Sequence, residues 1–486
     1  MKLFLFDRRF QSQRENVESV LGSCVKHPAN PLRLDGSPDW CHDNLAGRIR
    51  WFAEDGMYKG RVTGNEGVYS RDGIEWKRGE RWLGHDEVLE DPDPDPARRY
   101  KTVSYMEGPE DSPTVLDAKR IEECKRIGIP LRAGIGVGWS ADGKTWRYEH
   151  PVLPATVRFH HYLTSNWGGG DGYNHIIYAP TLKKYVLFVR TNIDRQPYGK
   201  RKERSVSRLE SEDLVHWTPQ HVCLRPWTDW QDQLGFGKHD FYHLPVYFRD
   251  GIYWGIGSVF WWQSDTVHLE LFWSPDTIHW ERLCPYQDFI PQGGASAISA
   301  DKPSRPLWEV FDDNPRAVDS GCNFAVHVPV FLRDEVRVYY GASPGLHNAE
   351  SQRRSALCFA MFSPDRFAGV ATKGLAGKIR THPLQLDGAR LRVNADARGG
   401  EIRVGVCEES GKPIPRFGLG DCKPITTDSL VAEVTWKGGN DFSAFAGNKM
   451  RLEIELRSAR LYTITADEES STITKPWPAK LPMAPP

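Results

Sequence analysis

Carboxylates recur at one point of a repeated pattern in this 486-residue chain. They lie in Pro38-Asp39-Trp40, Glu90-Asp91-Pro92, Asp171-Gly172-Tyr173, His239-Asp240-Phe241 and Asp319-Ser320, in each case near the start of a strand-like run. Converging carboxylates repel one another, so that one can keep a proton while another stays ionised. Cleavage of a glycosidic bond uses such a pair, one as acid and one as base or nucleophile. The alternative is that each Asp only forms a turn.

The elements that would position these carboxylates follow from an internal repeat. Five segments share Ser, one residue and Asp, and four of them continue to Trp; they span 70–76, 140–146, 211–217, 274–280 and 363–367. Asp and Ser side chains accept backbone N–H bonds at turns, and two or three strand-like runs precede each segment. Four strands in each of five units predict a five-bladed β-propeller over residues 1–370.

The pattern stops near residue 371, and the rest of the chain has a different organisation. Shorter strand-like runs predict a small β-sandwich over residues 371–470, followed by a Pro-rich tail over 471–486. The predicted fold class is therefore all-β, a five-bladed β-propeller with a C-terminal β-sandwich. Helical spacing over 116–127 predicts a short helix that interrupts the second repeat.

Composition argues against several classes of partner. The chain has 63 Lys and Arg and 64 Asp and Glu, so no global charge favours nucleic acid or a membrane surface. No apolar run is long enough to span a membrane. The nine cysteines form no Cys-x-x-Cys pair, which predicts reduced thiols rather than a zinc or redox motif. The amino terminus lacks a signal-peptide pattern, which predicts a cytoplasmic protein, or a periplasmic or secreted one if a leader was removed. The oligomeric state is not indicated.

The histidines are candidate ligands for a sugar. His239 and His243 are four residues apart in a predicted strand, so their side chains are expected to point the same way. With His175 and His327 they would ring the propeller axis, where they would contact sugar hydroxyls, bind a metal ion or simply pack. No motif of the His-Glu-x-x-His type supports a catalytic metal. We therefore predict no cofactor, and a structural metal ion at the axis stays an alternative.

Further candidates for substrate contacts are aromatic, amide and basic. The chain has 18 Trp, most of them expected to pack between blades, and Trp40 and Trp167 are candidates for stacking on a sugar. Asn174 and Arg190 are further candidate contacts. Residues 195–204 form the densest basic run, expected as a solvated hairpin loop. The alternative is that this run meets a sulfate or carboxylate of an acidic sugar, since Arg side chains match such anions.

Several segments resemble the five-bladed propeller glycoside hydrolases, the superfamily that contains families 32, 43, 68 and 117. The likeness is closest to uncharacterised bacterial members described as family-32-like, and it covers roughly residues 24–370. The segments are Lys26-His27-Pro28-Ala29-Asn30-Pro31-Leu32, Leu89-Glu90-Asp91-Pro92, Arg99-Tyr100-Lys101, Asp171-Gly172-Tyr173-Asn174, Tyr185-Val186 and Arg190. The predicted C-terminal sandwich also resembles the domain arrangement of family 32.

The resemblance implies catalytic roles for particular residues. The base or nucleophile would be Asp39, a supporting carboxylate Asp91 and the acid Asp171, with Asp240 as a reserve candidate. Two features depart from the family pattern. The Trp-Met-Asn-Asp-Pro-Asn signature of fructan enzymes is absent from the first repeat, and the acid of the third repeat is normally Glu.

These observations together predict a glycoside hydrolase. It would act at the end of an oligo- or polysaccharide, neutral or anionic, and remove a terminal sugar by carboxylate acid–base catalysis. One alternative is a glycoside phosphorylase on the same fold, with phosphate bound by His239, His243 and Arg190. The other is a propeller that binds carbohydrate without cleaving it.

Overall fold

The structure, a computed structural model, describes most of the chain. The described residues are 2–38, 40, 47–62, 66–79, 86–87, 91, 93, 95–107, 133–154, 158–159, 162–163, 174–194, 202–226, 239–293, 318–348, 354–386, 390–441, 443–445 and 447–467. Asp39, Trp167 and Asp171 lie outside them, as do the predicted helix over 116–127, most of the basic run and the tail over 471–486.

The all-β class is confirmed for this part of the chain. Apart from strands, its regular elements are 3-10 turns at Arg8–Phe10, Pro96–Arg98, Leu419–Asp421 and Ser443–Phe445. Among the described residues, no helix is long and apolar enough to cross a membrane. The described strands divide between two compact units. The larger unit contains Lys26–Val330 and Val338–Ala360, and the smaller unit contains Met1–Val25, Phe331–Arg337 and the described residues from Met361 onward.

Three sheets of the larger unit each contain at least four strands. Sheet I has the strand order Arg33–Leu34, Glu75–Gly79, Glu66–Ser70, Met57–Val62 and Gly47–Phe52. Sheet II has the order Asp86–Glu87, Tyr100–Glu107, Ala133–Ser140 and Arg147–Pro154. Sheet III has the order His175–Ala179, Lys184–Asp194, Lys202–Ser211 and His221–Leu224. A two-stranded ribbon pairs Arg158–Phe159 with Tyr162–Leu163.

Sheet IV consists of two groups of strands that meet at one point. Group IVa contains His239–His243, Val246–Arg249, Ile252–Trp261, Thr266–Ser274 and Glu281–Leu283. Group IVb contains Cys322–Ala325, Val330–Phe331, Val336–Ser343 and Ala356–Phe362, with Cys24–Lys26 at the end of the sheet. A parallel pairing of Val267 with Cys322 joins the two groups. Sheet IV is therefore two repeats that share an edge.

A common turn follows the third strand of sheets I, II and III and the strand Thr266–Ser274 of group IVa. In group IVa, Asp276 Oδ1 accepts the backbone N–H groups of Ile278 at 2.9 Å and His279 at 2.8 Å. Ser274 Oγ accepts the N–H of Thr277 at 2.8 Å, and the Trp280 indole donates to the Thr277 carbonyl at 3.0 Å. The other carboxylates that make the same pair of backbone contacts are Asp72, Asp142 and Asp213. The turn chemistry predicted for the Ser-x-Asp pattern is confirmed at these four sites.

The fifth Ser-x-Asp segment belongs to the smaller unit and differs from the others. Its Asp365 carboxylate accepts a hydrogen bond from Lys2 Nζ at 2.7 Å. Gly369 stands at the position that holds Trp in the other segments. Phe367, two residues earlier, packs its ring on Phe362 with centroids 4.8 Å apart. This segment therefore begins the smaller unit rather than continuing the repeats.

Hydrophobic side chains join neighbouring groups of the larger unit. Sheets II and III share a core, sheets III and IVa share a second, and IVa and IVb share a third. Tyr339 of group IVb donates its hydroxyl proton to the Gly73 carbonyl of sheet I at 2.9 Å. Arg99 of sheet II pairs with Glu54 of sheet I at 3.7 Å. Each of the five groups thus contacts the next, and the last contacts the first.

The smaller unit has two sheets around one core. One sheet has the order Val17–Leu21, Ala368–Thr372, Arg460–Asp467, Arg390–Asp396 and Asp428–Glu433, with Lys2–Phe4 also on Arg460–Asp467. The other has the order Gln11–Glu15, Ala376–Thr381, Lys449–Arg457 and Leu384–Gln385, with Glu401–Glu408 also on Lys449–Arg457. Their inward side chains, among them Val393, Val404 and Leu452, form a single cluster. Residues 1–25 belong here, whereas the sequence boundary put them with the repeats, because their strands pair with strands after residue 367.

The described cysteines are all free thiols. They are Cys24, Cys223, Cys284, Cys322, Cys358, Cys407 and Cys422, the last four of them buried. Burial raises the pKa of the Cys358 thiol well above its ordinary value, which keeps it protonated and unreactive. The predicted reduced state is confirmed for these seven, and Cys41 and Cys124 lie outside the described residues.

We expect the turn carboxylates to stabilise the fold. Asp276→Ala removes the acceptor of two backbone N–H groups and should lower the free energy of unfolding by about 1–2 kcal/mol. Asp276→Asn keeps one acceptor oxygen and should cost less. Urea unfolding followed by tryptophan fluorescence measures both. Asp334→Ala, at a side chain that is 88% exposed, is the control, and an equal loss in this control would contradict the expectation.

Candidate functional site

Asp91 lies in a buried ion-pair network. Its Oδ2 is 2.5 Å from Lys101 Nζ, which is also 3.1 Å from Asp93 Oδ2. Tyr185 donates its hydroxyl proton to Asp91 Oδ1 at 2.9 Å. Lys101 is only 1% exposed, and a buried ammonium group is costly unless it is paired. Asp91 therefore neutralises a buried lysine and joins sheet II to sheet III.

Asp240 accepts hydrogen bonds through both carboxylate oxygens. Oδ1 accepts the backbone N–H of Arg204 at 3.0 Å, and Oδ2 accepts the indole N–H of Trp262 at 3.1 Å. The residue is 1% exposed and lies in the strand His239–His243. A proton donor to a substrate needs an oxygen directed at the substrate. The geometry of Asp240 suits a positioning role between sheet III and group IVa.

Tyr242 is the centre of a second cluster, the Tyr242 cluster, which contains Arg190, Arg204, Tyr242 and His347. Arg204 Nη1 donates to the Tyr242 hydroxyl oxygen. That hydroxyl contacts His347 Nε2 at 2.5 Å. Because a guanidinium can only donate, the tyrosine proton goes to His347, whose Nε2 accepts it. The His347 ring is thereby set as a neutral tautomer.

Two guanidinium groups lie over the same tyrosine ring. The guanidinium carbon Cζ of Arg204 is 4.3 Å from the Tyr242 ring centroid, and Cζ of Arg190 is 5.9 Å from it. Both arginines come from sheet III, whereas Tyr242 comes from group IVa. Cations over an aromatic face are attracted by its quadrupole. The Tyr242 cluster therefore brings two positive charges to the boundary between two repeats.

His239 and His243 do not act together as the sequence predicted. The strand pairing shifts register between Phe241 and His243, so a β-bulge places one extra residue between them and breaks the alternation of side chains. His239 Nε2 contacts Arg282 Nη1 at 3.1 Å. His243 instead lies near His175 and His327. The expectation that both side chains point the same way was wrong for this reason.

His239 belongs to a buried network in group IVa. Arg282 donates to both oxygens of Glu270, at 2.9 Å from Nε and 3.0 Å from Nη2. Burial raises the pKa of Glu270 although Arg282 opposes it. Since Arg282 can only donate, His239 Nε2 is the acceptor and the ring is a neutral tautomer. This network is internal, because Glu270 is fully buried.

Three histidines and an arginine form the inner-strand cluster, which contains Arg48, His175, His243 and His327. Each comes from the first strand of a different group or from the residues just after it. The rings of His175 and His327 are 4.4 Å apart. His175 Nε2 contacts the Val246 carbonyl at 2.6 Å, which assigns its proton to Nε2 and leaves Nδ1 as an acceptor. The predicted meeting of three of the four histidines is therefore present.

Burial keeps these imidazoles neutral. It lowers the pKa of His175 and His327 well below the ordinary value, and the nearby charge of Arg48 lowers both further. Burial and Arg48 also lower the pKa of His243, to about 3. Among the described residues, no three His, Cys, Asp or Glu side chains are placed to share a metal ion. The cluster presents neutral nitrogens beside a buried cation.

Several buried polar atoms near the first strands have no partner within the described part of the chain. They are Asn174 Oδ1, Asn323 Oδ1 and both ring nitrogens of His327. These residues are 6%, 0% and 4% exposed, respectively. An unpaired buried polar group costs about 1–3 kcal/mol. Such groups are typical of places where water or a ligand supplies the missing hydrogen bonds.

Trp40 does not offer a face to a sugar. It is 5% exposed, its indole donates to the Leu32 carbonyl at 2.9 Å, and its ring meets the edge of Trp76 at 6.0 Å. Its role as a stacking surface was wrong, because the turn of sheet I covers it. Trp167, Asp39 and Asp171 lie outside the described residues.

Five side chains in or beside these clusters were not named individually among the sequence candidates. Arg48 and Asn323 lie in first strands, where no motif marks them. Tyr242 lies in the His239–His243 strand, between the candidates Asp240 and His243. Arg204 ends the basic run, and His347 follows a strand of group IVb. The sequence signal that was available is proximity. Tyr242 lies beside the candidates Asp240 and His243, and Arg204 lies in the basic run.

Comparisons with known proteins give structural likeness only. No family model and no curated protein sequence matches the chain. A thermostable family-43 glycoside hydrolase has a TM-score of 0.39 and 11% identity, covering 68% of this chain and 94% of its own. A Bombyx mori family-32 β-fructofuranosidase has a TM-score of 0.36 and 9% identity, covering 96% of each chain. An N-acetylgalactosamine deacetylase from F. plautii has a TM-score of 0.38 and 14% identity, covering 72% and 97%.

The chain is thus similar to solved structures from the superfamily that its sequence segments resemble. The scores and identities are low, so we take neither a fold nor an activity from these structures. The strand pairing of this chain carries the all-β class.

We expect Asp91 to be needed for stability. Asp91→Asn leaves buried Lys101 paired with Asp93 alone and should lower the free energy of unfolding by about 1–3 kcal/mol. Adding Lys101→Met removes the buried charge and should recover part of the loss. Urea unfolding of both variants measures this. Asp91→Asn with unchanged stability and lost activity would instead make Asp91 catalytic.

We expect the inner-strand histidines to make the fold sensitive to acid. The pKa of His243 is about 3 in the folded chain and about 6.5 ordinarily, so the unfolded chain takes up the proton first as the pH falls. The contribution of the neutral His243 imidazole to the free energy of unfolding is present above pH 6.5 and is lost as the pH falls toward 3. His243→Gln should therefore lose less stability than the wild type over this window, by up to about 4 kcal/mol. Urea unfolding at stepped pH tests this.

The matched control for this measurement is His221→Gln, at an exposed histidine of sheet III. Its stability should depend on pH as the wild type does. If His243→Gln loses as much stability in acid as the wild type and His221→Gln do, the expectation is overturned.

Proposed function

We propose that the protein is a glycoside hydrolase that removes a terminal sugar from an oligo- or polysaccharide. The observation that supports it most is the set of buried, unpartnered polar atoms on Asn174, Asn323 and His327. They offer hydrogen bonds in the part of the larger unit where first strands meet. Sugar hydroxyls both donate and accept, so they match a set of amide oxygens and neutral imidazole nitrogens.

The proposal includes a five-bladed β-propeller and a β-sandwich. Sheets I, II and III and groups IVa and IVb would be the five blades. Four of them carry the same Ser-x-Asp turn, and their contacts run from each group to the next and from IVb back to sheet I. The two sheets of the smaller unit, which share one core, would form the sandwich. In such a propeller the first strands surround the axis.

The catalytic roles fall to Asp39 and Asp171 in this proposal. Asp91 is paired with Lys101, and both oxygens of Asp240 accept hydrogen bonds, so these two suit supporting roles. The family resemblance favours Asp39 as base or nucleophile and Asp171 as acid. Of the predicted substrate contacts, Asn174, His175 and Arg190 keep that role, while Trp40 and His239 lose it to internal packing.

Binding without cleavage is the second candidate function. The two described carboxylates among the four catalytic candidates both serve internal contacts, which is what a binding propeller would show. The phosphorylase alternative required His239, His243 and Arg190 in one phosphate pocket. His239 contacts Arg282, and His243 lies in the inner-strand cluster, so this alternative loses its support.

The proposed reaction is tested by single carboxylate variants. Hydrolysis is measured on a panel of aryl-glycosides and plant or algal oligosaccharides, with and without phosphate. Asp39→Asn and Asp171→Asn should each lower kcat by roughly 10²- to 10⁴-fold, the usual contribution of a positioned acid or base. Turnover should not require phosphate.

Asp35→Asn is the matched control. Asp35 comes four residues before Asp39 in the sequence, and its half-exposed side chain pairs with Arg78 at 3.0 Å. Its activity should equal that of the wild type. If the protein binds sugars but cleaves none, and if Asp39→Asn and Asp171→Asn leave the sugar affinity unchanged, the binding propeller is favoured. Phosphate-dependent turnover would favour the phosphorylase.

A further inference from the structure

We propose that the Arg204 guanidinium, held against the Tyr242 ring, binds a carboxylate or sulfate group carried by the sugar substrate. This inference rests on the proposed carbohydrate function and narrows it to acidic sugars.

Arg204 is fixed at both its backbone and its side chain. Its backbone N–H donates to Asp240 Oδ1 at 3.0 Å, and its guanidinium lies 4.3 Å from the Tyr242 ring centroid. One N–H of Nη1 donates to the Tyr242 hydroxyl, whose own contact with His347 fixes the ring in turn. The side chain is only partly buried. A guanidinium held this way loses little freedom when it binds a further group.

The charge of Arg204 is not neutralised within the part of the chain that the structure describes. No carboxylate there forms an ion pair with its guanidinium, whose hydrogen bond goes to a neutral hydroxyl. Arg208, four residues along the same strand, pairs with Glu210 at 2.5 Å. Arg282 in group IVa pairs with Glu270 at 2.8 Å. Arg208 and Arg282 are thus each matched with a carboxylate, whereas Arg204 has no such partner among the described residues.

The free side of Arg204 suits an oxyanion. Nε and Nη2 keep their N–H groups, and these form the fork that matches two oxygens of a carboxylate or sulfate. Arg190 lies over the same Tyr242 ring at 5.9 Å and adds positive charge. Asp240 is turned toward the Arg204 backbone and the Trp262 indole. The two N–H groups of Arg204 can therefore pair with an anion.

An anion at this place has two possible sources, the sugar itself or free phosphate. His243, the residue after Tyr242 in the same strand, belongs to the inner-strand cluster. Asn174 and His327 offer neutral acceptors and donors there, suited to sugar hydroxyls. A uronic acid or sulfated sugar would use both kinds of contact at once. Free phosphate would use only the guanidinium. We therefore assign the anion to the sugar.

The test is binding by the full-length protein, measured by isothermal titration calorimetry at low salt. The probes are galacturonic and glucuronic acid oligosaccharides, sulfated oligosaccharides, their neutral counterparts, and inorganic phosphate alone. At least one acidic sugar should bind roughly 10- to 100-fold more tightly than its neutral counterpart, as expected for hydrogen bonds to a charged group. Arg204→Gln should abolish that preference and leave the weaker affinity for the neutral sugar unchanged. Arg204→Lys should keep part of it.

Arg78→Gln is the matched control, since Arg78 is a half-exposed arginine paired with Asp35, and it should keep the full preference. Equal binding of acidic and neutral sugars by the wild type would overturn the proposal, as would an equal loss of both in Arg204→Gln. Phosphate binding that depends on Arg204, without any preference for an acidic sugar, would assign the anion to phosphate instead. Because binding is measured without turnover, a protein that prefers acidic sugars but cleaves none contradicts only the proposed hydrolase.

Discussion

A carboxylate that accepts two consecutive backbone N–H groups sets a turn on which four of the five groups of the larger unit depend. At Asp72, Asp142, Asp213 and Asp276 this acceptor lies inside the loop, so the turn needs no help from distant residues. The residue that follows takes a left-handed conformation, with φ between 69° and 77°. It is Gly in two turns and Leu or Thr in the others. The side-chain hydrogen bonds therefore outweigh the ordinary preference for glycine there.

The polar interior of the first strands depends on the apolar layers between the sheets. Arg48 is nearly fully buried, and three imidazoles are held neutral beside it. Such groups cost free energy to bury. The cores between sheets II and III and between III and IVa, with Leu187, Phe188 and Phe241 among their members, supply the opposing stabilisation. Polar groups fixed in this way are already ordered before any ligand arrives.

The sequence predicted those features that arise from local chemistry. The Ser-x-Asp turns and the strand at His239–His243 follow from residue types within a few positions of one another. The bulge that separates His239 from His243 depends on strand pairing, and the burial of Trp40 depends on a neighbouring turn. Whether the charge of Arg204 is paired depends on which side chains a second sheet brings near it. These depend on contacts between distant residues, which a single sequence does not reveal.

The pairing of the first residues with the last strands affects the order in which the chain can fold. Lys2–Phe4 lies on Arg460–Asp467, and Val17–Leu21 lies on Ala368–Thr372. During synthesis the amino-terminal segment must wait, unpaired, while more than 300 residues of the larger unit emerge. The larger unit has its strands available first, so the smaller unit can complete its sheets only after those strands have been made. Attachments to the amino terminus would therefore interfere with the last step of folding rather than the first.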